Sequence, residues 1–409
     1  MPPTSDAEAA FTRRLVALYG LTGFATSLAG RSLDPILPEV AAHYAAALET
    51  VALLASAFAL PYAFIQPVLG PVGDALGKRR IIATGTALTG LALLASAFAP
   101  TLGLLFVLRA VAGMTAGGIY PLIIATFGDR VPVASRQVAL SRVLAWSTAG
   151  QIAGGVASGL VAEILDWRTI IAVGALPVLL AAVILWLDLR REPDRPPGRL
   201  DVAAAIRRYR EILSIPAARH LFLSVGTEGV VIYGTFPFVA GLVAAWGLGG
   251  AAQAGIAIAA FGAAGIAYGL LSGGLLRTLG IIRMVQLAGV LGAAGFGLMA
   301  ATGWLAGQGK AVPLGVTPMV LGFFILGLGY FMTHNSLQTR VTEVYPKARG
   351  SAVALHAFSF FVGQSVGPLL FGTLLGGLGA VAALALLGAA MLVFGLVLSR
   401  VLGAASNAP

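Results

Sequence analysis

The sequence has no cysteine, which excludes disulfides and thiolate metal sites. Charge is scarce as well. Asp, Glu, Lys and Arg make up 10% of the 409 residues, against about 25% in soluble globular domains. A chain so poor in charge cannot coat a water-facing surface. Lysine is rarest, with three against twenty-three arginines. Also missing are a zinc-binding HExxH helix, a G-x-S-x-G nucleophile elbow and paired carboxylates on one helix, so no motif points to an intramembrane enzyme.

What fills the chain is apolar. Hydrophobic residues account for 58% and the mean hydropathy is +0.92. A helix needs about 20 apolar residues to cross a bilayer core about 30 Å thick. Runs of that length predict twelve spans, near 15–37, 48–69, 81–98, 102–126, 139–162, 169–187, 220–242, 253–275, 284–304, 316–338, 352–376 and 380–399. The expected class is an all-α membrane protein. The opening "MPPTSDAEAAFT" carries two acids, and no small-residue cleavage site follows the apolar stretch beginning at Leu15. It reads as a short cytoplasmic tail, not a signal peptide.

A net charge of +10 raises the question of nucleic acid, and the placement of that charge answers it. With the N-terminus inside, only Arg168 and Lys310 of the 26 basic residues fall outside, and only Arg31 and Arg109 fall within the membrane. This is the positive-inside pattern. It predicts a multi-pass protein of the cytoplasmic (inner) membrane with both termini cytoplasmic, its basic side facing anionic lipid and no nucleic-acid partner.

The chain is written twice. "GQIAGGVASG" at 150–159 returns as "GQSVGPLLFG" at 363–372, an offset of 213 that also relates Arg136 to Arg349. "GPVGDALGKRR" at 70–80 is answered by "GGLLRTLGIIR" at 273–283, where Gly70, Gly77 and Arg80 match Gly273, Gly280 and Arg283. The expected domains are therefore 1–187 and 220–409, two six-helix bundles joined by a basic linker, 188–219. The prolines of "REPDRPPG" stop the sixth span. "DVAAAIRRYREIL" then sets Val202, Ile206, Tyr209 and Leu213 at helical spacing, as either a helix lying on the inner leaflet or a solvated linker helix. Two similar bundles with a site between them is the architecture of secondary transporters.

The same residues carry a family resemblance. Gly70-Pro-Val-Gly-Asp74-Ala-Leu-Gly77-Lys-Arg-Arg resembles the loop signature between the second and third helices of the major facilitator superfamily. Arg109 followed by Gly113 resembles its second motif, and Gly150 to Gly159 the span-five motif of its drug/proton antiporter branch. Ala75, Ala112 and Gly155 depart from the usual residues of those motifs. The resemblance implies the twelve-helix major facilitator fold. It also implies a cytoplasmic gate at Gly70, Asp74, Gly77, Lys78 and Arg79, with Asp74 latching the bundles when the carrier opens outward. A charge cluster that only enforces topology is the plainer alternative for the bases.

An ionisable group at the bilayer centre costs about 2.5–3.5 kcal/mol, so each is a candidate. Glu228 lies nine residues past Arg219, about 13 Å deep, and is the expected proton carrier. Asp34 joins it as a proton-coupling candidate, three residues from Arg31 on one helix face. Whether that pair is proton-linked or a gate contact stays open. Arg109 needs a partner, which could be an anionic solute, Asp34 or backbone carbonyls. Gln66, Tyr233, His334, Asn335, His356 and Gln364 complete the expected substrate-binding set with Arg31 and Arg109. Together they predict alternating-access transport of a small organic solute, with proton-coupled efflux by antiport as the first reading. Organic-anion/proton symport or anion exchange is the alternative, because Arg31 and Arg109 could hold a carboxylate. A monomer working with solute, protons and lipid is expected, with no metal and no cofactor. A haem between His334 and His356, and a signalling receptor without an output domain, are the rival classes.

Overall fold

The computed structural model describes residues 6–191 and 202–406. Among these residues the chain forms fifteen α-helices and no strand. The first bundle comprises α1 (Asp6–Arg31), α2 (Leu37–His43), α3 (Leu48–Leu76), α4 (Lys78–Ser96), α5 (Leu102–Ala116), α6 (Ile119–Arg130), α7 (Val133–Val161) and α8 (Trp167–Arg191). The linker helix is α9 (Val202–Ser214). The second bundle comprises α10 (Pro216–Tyr233), α11 (Val239–Ala245), α12 (Ala251–Gly307), α13 (Thr317–Val344), α14 (Arg349–Leu378) and α15 (Ala380–Ser406).

Twelve membrane crossings follow, because α1–α2, α5–α6 and α10–α11 are each one interrupted span and α12 is two. Eight helical segments are long and apolar enough to cross by themselves. At 57 residues, α12 is about 85 Å long, far more than one crossing, and it breaks at Gly280 (φ 67°, ψ 168°). Three more polar helices, α1, α4 and α7, are completed as spans by burial against their neighbours: α1 packs on α7 and α8, and α4 on α5 and α8. The face at which α1 begins and α15 ends is the terminal face, and the opposite one the far face.

The two halves repeat in detail. Gly77 (φ 92°) and Gly280 (φ 67°) make the equivalent tight turns between spans two and three and between eight and nine. A side chain at either site pays about 1–2 kcal/mol for the left-handed backbone. Gly280→Ala is therefore expected to lower the unfolding temperature in scanning fluorimetry, while Gly274→Ala, helical and in open space, leaves it level or raises it. Gly70 and Gly73 do not turn; they lie inside α3. Gly73 serves close approach instead, since a Cβ there would sit 2.5 Å from Leu122 Cδ2.

The glycines repeated at an offset of 213 pack in the same way in each half. A Cβ on Gly150 or Gly154 would lie 2.2 Å from the Phe24 or Leu28 carbonyl oxygen of span one. On Gly363 or Gly367 it would lie 2.0 Å or 2.7 Å from the Gly226 or Val230 oxygen of span seven. Further along, Gly159 and Gly372 face the other bundle. Gly159 would meet the Ala251 oxygen at 2.4 Å, and Gly372 the Glu49 side chain at 3.7 Å. Gly255 and Gly155 form the next step of that seam. With Leu48 against Gly241, these contacts close the far face.

Spans one and seven break at matching places. Pro35 is the second residue of the 3-10 turn Asp34–Ile36, and Pro237 holds the same place in the turn Phe236–Phe238. Proline lacks the N–H that would continue the helix ladder. The linker prolines lie outside the described residues. Helix α9 forms as expected but docks on protein: Ala205 and Ile212 are buried, and the Tyr209 hydroxyl donates to the Pro67 carbonyl at 2.7 Å. Ile206 and Leu213 of the expected stripe remain exposed.

Candidate functional site

The broken spans bring polar groups to the middle of the molecule. Glu228, on α10 one turn and a half before its break, is fully buried. One carboxyl oxygen accepts from the Thr333 hydroxyl, and the other lies 2.7 Å from His334 Nδ1. Both partners are adjacent residues of α13. With the carboxyl ionised, Nδ1–H donates. Tyr330 stacks on the His334 ring with centroids 5.0 Å apart, and Phe360 meets it edge-on at 5.0 Å. The His356 ring of α14 lies 5.2 Å from that of His334. His356 is buried, and neither of its ring nitrogens has a hydrogen-bond partner among the described residues. Buried polar atoms ordinarily find partners, so this imidazole is an unspent donor and acceptor beside the carboxylate cluster.

The first bundle contributes the opposite wall. Arg31 Nη1 holds Asp34 Oδ2 at 3.2 Å, the i,i+3 pairing expected from sequence, although α1 ends at Arg31 and Asp34 opens the next turn. The same guanidinium lies 4.9 Å from the ring centroids of both Tyr233 and Phe236. Those rings belong to the second bundle and stack on each other at 5.0 Å. Arg31 is thus a bridge across the seam through cation–π contact, worth about 2 kcal/mol when desolvated. Tyr62 and Phe361 meet across it too, centroids 4.0 Å apart. Arg109 is buried over the Phe58 ring at 4.9 Å, and its Nε has no hydrogen-bond partner among the described residues.

Other expected site residues stand apart. Gln66 Nε2 donates to the Gly117 carbonyl at 2.7 Å, satisfying an acceptor freed where α5 gives way to α6; its Oε1 has no hydrogen-bond partner among the described residues. Gln364 is half-buried and Asn335 is exposed. In the loop signature, Gly70 lies within α3, and the side chain of Asp74 lies outside the described residues. Lys78 pairs with Asp129 at 2.8 Å. Arg79 pairs with Asp188 at 2.5 Å, and Arg14 also pairs with Asp188. All these pairs lie within the first bundle.

Thr333, Tyr330 and Phe360 around Glu228 were not anticipated from sequence. Thr333 carried a usable signal, a hydroxyl next to an intramembrane histidine. Asp188 lies past the expected end of span six at 187, on the last turn of α8, which runs on to Arg191.

Two six-span bundles closed over a buried polar centre define a membrane carrier. The sequence profile of the Major Facilitator Superfamily matches residues 19–368, and the chain belongs to that superfamily. It is a transporter and not an enzyme. An uncharacterised transporter of this type from Bacillus subtilis (strain 168), YwfA, is 24% identical over 370 residues, covering 90% of this chain and 86% of that one. The multidrug efflux pump LfrA of Mycolicibacterium smegmatis is 28% identical over 181 residues, 44% of this chain and 36% of that one. The quinolone resistance protein NorA of Staphylococcus aureus is 25% identical over 194 residues, 47% of this chain and 50% of that one. The chain thus matches half or less of the length of either pump. Among solved structures, the nucleoside transporter NupG superposes with a TM-score of 0.75 at 14% identity, covering 95% of this chain and 99% of that one. That likeness is one of fold.

Proposed function

We propose that the chain is a proton-coupled antiporter that expels planar aromatic solutes, its units 1–187 and 220–409 rocking about the linker. The observation that carries this reading is Glu228, fully buried with both oxygens engaged, one by a hydroxyl and one by an imidazole. A carboxylate so placed is costly to desolvate, so its charge state is coupled to whether the cavity around it is wet. Protonation from the far face would neutralise the pair with His334, and opening to the terminal face would release the proton. Tyr233, Phe236, Tyr330 and Phe360 line the way between this acid and Arg31. Ring faces suit a flat solute. Two relatives named for multidrug efflux and quinolone resistance support the direction. The positive-inside pattern supports an inner-membrane location with the termini cytoplasmic.

One observation favours a second reading. The unpartnered Nε of buried Arg109 is the group an organic carboxylate would take up, as in symport or anion exchange. A quinolone, both flat and carboxylated, presented to proteoliposomes holding a pH dye separates the readings. Antiport moves protons against the solute, symport moves them with it, and exchange moves none. Only the first outcome sustains the proposal.

A further inference from the structure

Between spans one and six, on the outside of the first bundle, lies a groove of about 370 Å³ near the terminal face. Its two walls have the same plan. Arg14, Ala17, Leu18 and Leu21 descend α1 at helical spacing, and Arg191, Asp188, Leu187 and Ile184 descend α8 beside them. Each wall begins with an arginine toward the terminal face and becomes apolar deeper, at Ala17 on α1 and past Asp188 on α8. From Arg14 to Leu21 the drop is about 10 Å, the reach of the upper part of an acyl chain.

The charges do not cancel at the mouth. Asp188 is the acid of the groove, and buried Arg79 already holds it from behind at 2.5 Å. Arg14 touches the same carboxylate but keeps 46% of its side chain exposed, and Arg191 is exposed. Two cationic heads therefore share what is left of one anion. We infer that this groove is a binding site for one anionic phospholipid, its phosphate between Arg14 and Arg191 and an acyl chain on the leucines and Ile184. A guanidinium fork suits phosphate, and each basic residue near an anionic leaflet is worth about 1 kcal/mol. The site is wired to the loop signature, since Arg14 and Arg79 share Asp188. A phosphate that draws Arg14 away leaves Asp188 to Arg79, which tightens span three on span six.

The test is lipid retention by the purified full chain in detergent, read by native mass spectrometry with phosphatidylglycerol against phosphatidylcholine. Wild type is expected to retain one phosphatidylglycerol in preference. Arg14→Gln with Arg191→Gln, both on exposed side chains, is expected to cut that preference about 30-fold. The control pair Arg277→Gln with Arg283→Gln, exposed bases on the second bundle, is expected to leave it unchanged. Equal loss from both pairs, no preference in wild type, or the same stabilisation by free glycerol phosphate would each overturn the site.

Discussion

Glu228→Gln is expected to remove solute-linked proton movement from proteoliposomes while the protein still folds and exchanges solute across a membrane without a pH gradient. Glutamine keeps the shape of the acid and can still bond Thr333, and a neutral His334 can accept from the amide by changing tautomer. What is lost is the exchangeable charge. A positioned proton-transfer group contributes about 10²–10⁴ in rate, so gradient-driven efflux should fall by at least about 100-fold. His334→Gln is expected to act differently. It leaves Glu228 in place with one partner fewer, so transport persists and its pH profile moves. Unimpaired proton release from the Glu228→Gln carrier would sink the assignment, because no second fully buried carboxyl is described beside it.

The second large effect concerns two glycines that look alike in sequence and sit in different interfaces. A methyl on Gly363 would lie 2.0 Å from the Gly226 oxygen, inside the second bundle. A methyl on Gly255 would lie 2.3 Å from the Gly155 oxygen, between the bundles. Both obstacles are backbone and cannot rotate away. Gly363→Ala is expected to lower stability by about 1–3 kcal/mol or more, the ordinary cost of overpacking, and to show as a drop in unfolding temperature. Gly255→Ala can relieve its clash by parting the seam, so the same strain goes into opening the far face. Since 1.4 kcal/mol is a factor of ten in population, the open form should rise about tenfold.

The absence of native cysteine makes that shift easy to read. A single Ala252→Cys, at a buried seam position, should be labelled about ten times faster by an impermeant maleimide when Gly255→Ala is added. Labelling that stays slow, with the unfolding temperature falling as it does for Gly363→Ala, would show that the 155–255 contact is not where the carrier moves.

Much of this architecture was legible beforehand, for identifiable reasons. Burial in lipid leaves a helix no partner for its backbone but itself, so apolar runs of sufficient length announce spans directly. The repeat from Gly150 to Gly363 was readable because only glycine lets two helices come so close, and the structure puts the two copies against corresponding helices, span one and span seven. The Arg31–Asp34 pair was readable because opposite charges three residues apart stay within reach of each other, even though α1 ends at Arg31 and Asp34 belongs to the next turn. Contacts between distant segments were not. Nothing local joins Glu228 to Thr333 and His334, more than 100 residues away, or Arg31 to Tyr233.

Alone, the sequence determined that this protein spans a membrane twelve times in two related halves, and which few polar side chains go in with them. Hydrophobic length and glycine spacing are properties of single helices, and they survive any arrangement of the rest. Tertiary structure alone decided which of those polar groups meet. It set Glu228 against His334, left the His356 ring nitrogens without a hydrogen-bond partner among the described residues, put Arg31 over the aromatic pair of the opposite bundle, and paired Lys78 and Arg79 with acids of their own bundle. Each of those outcomes depends on how helices rotate and cross, and that is settled by packing across the whole bundle.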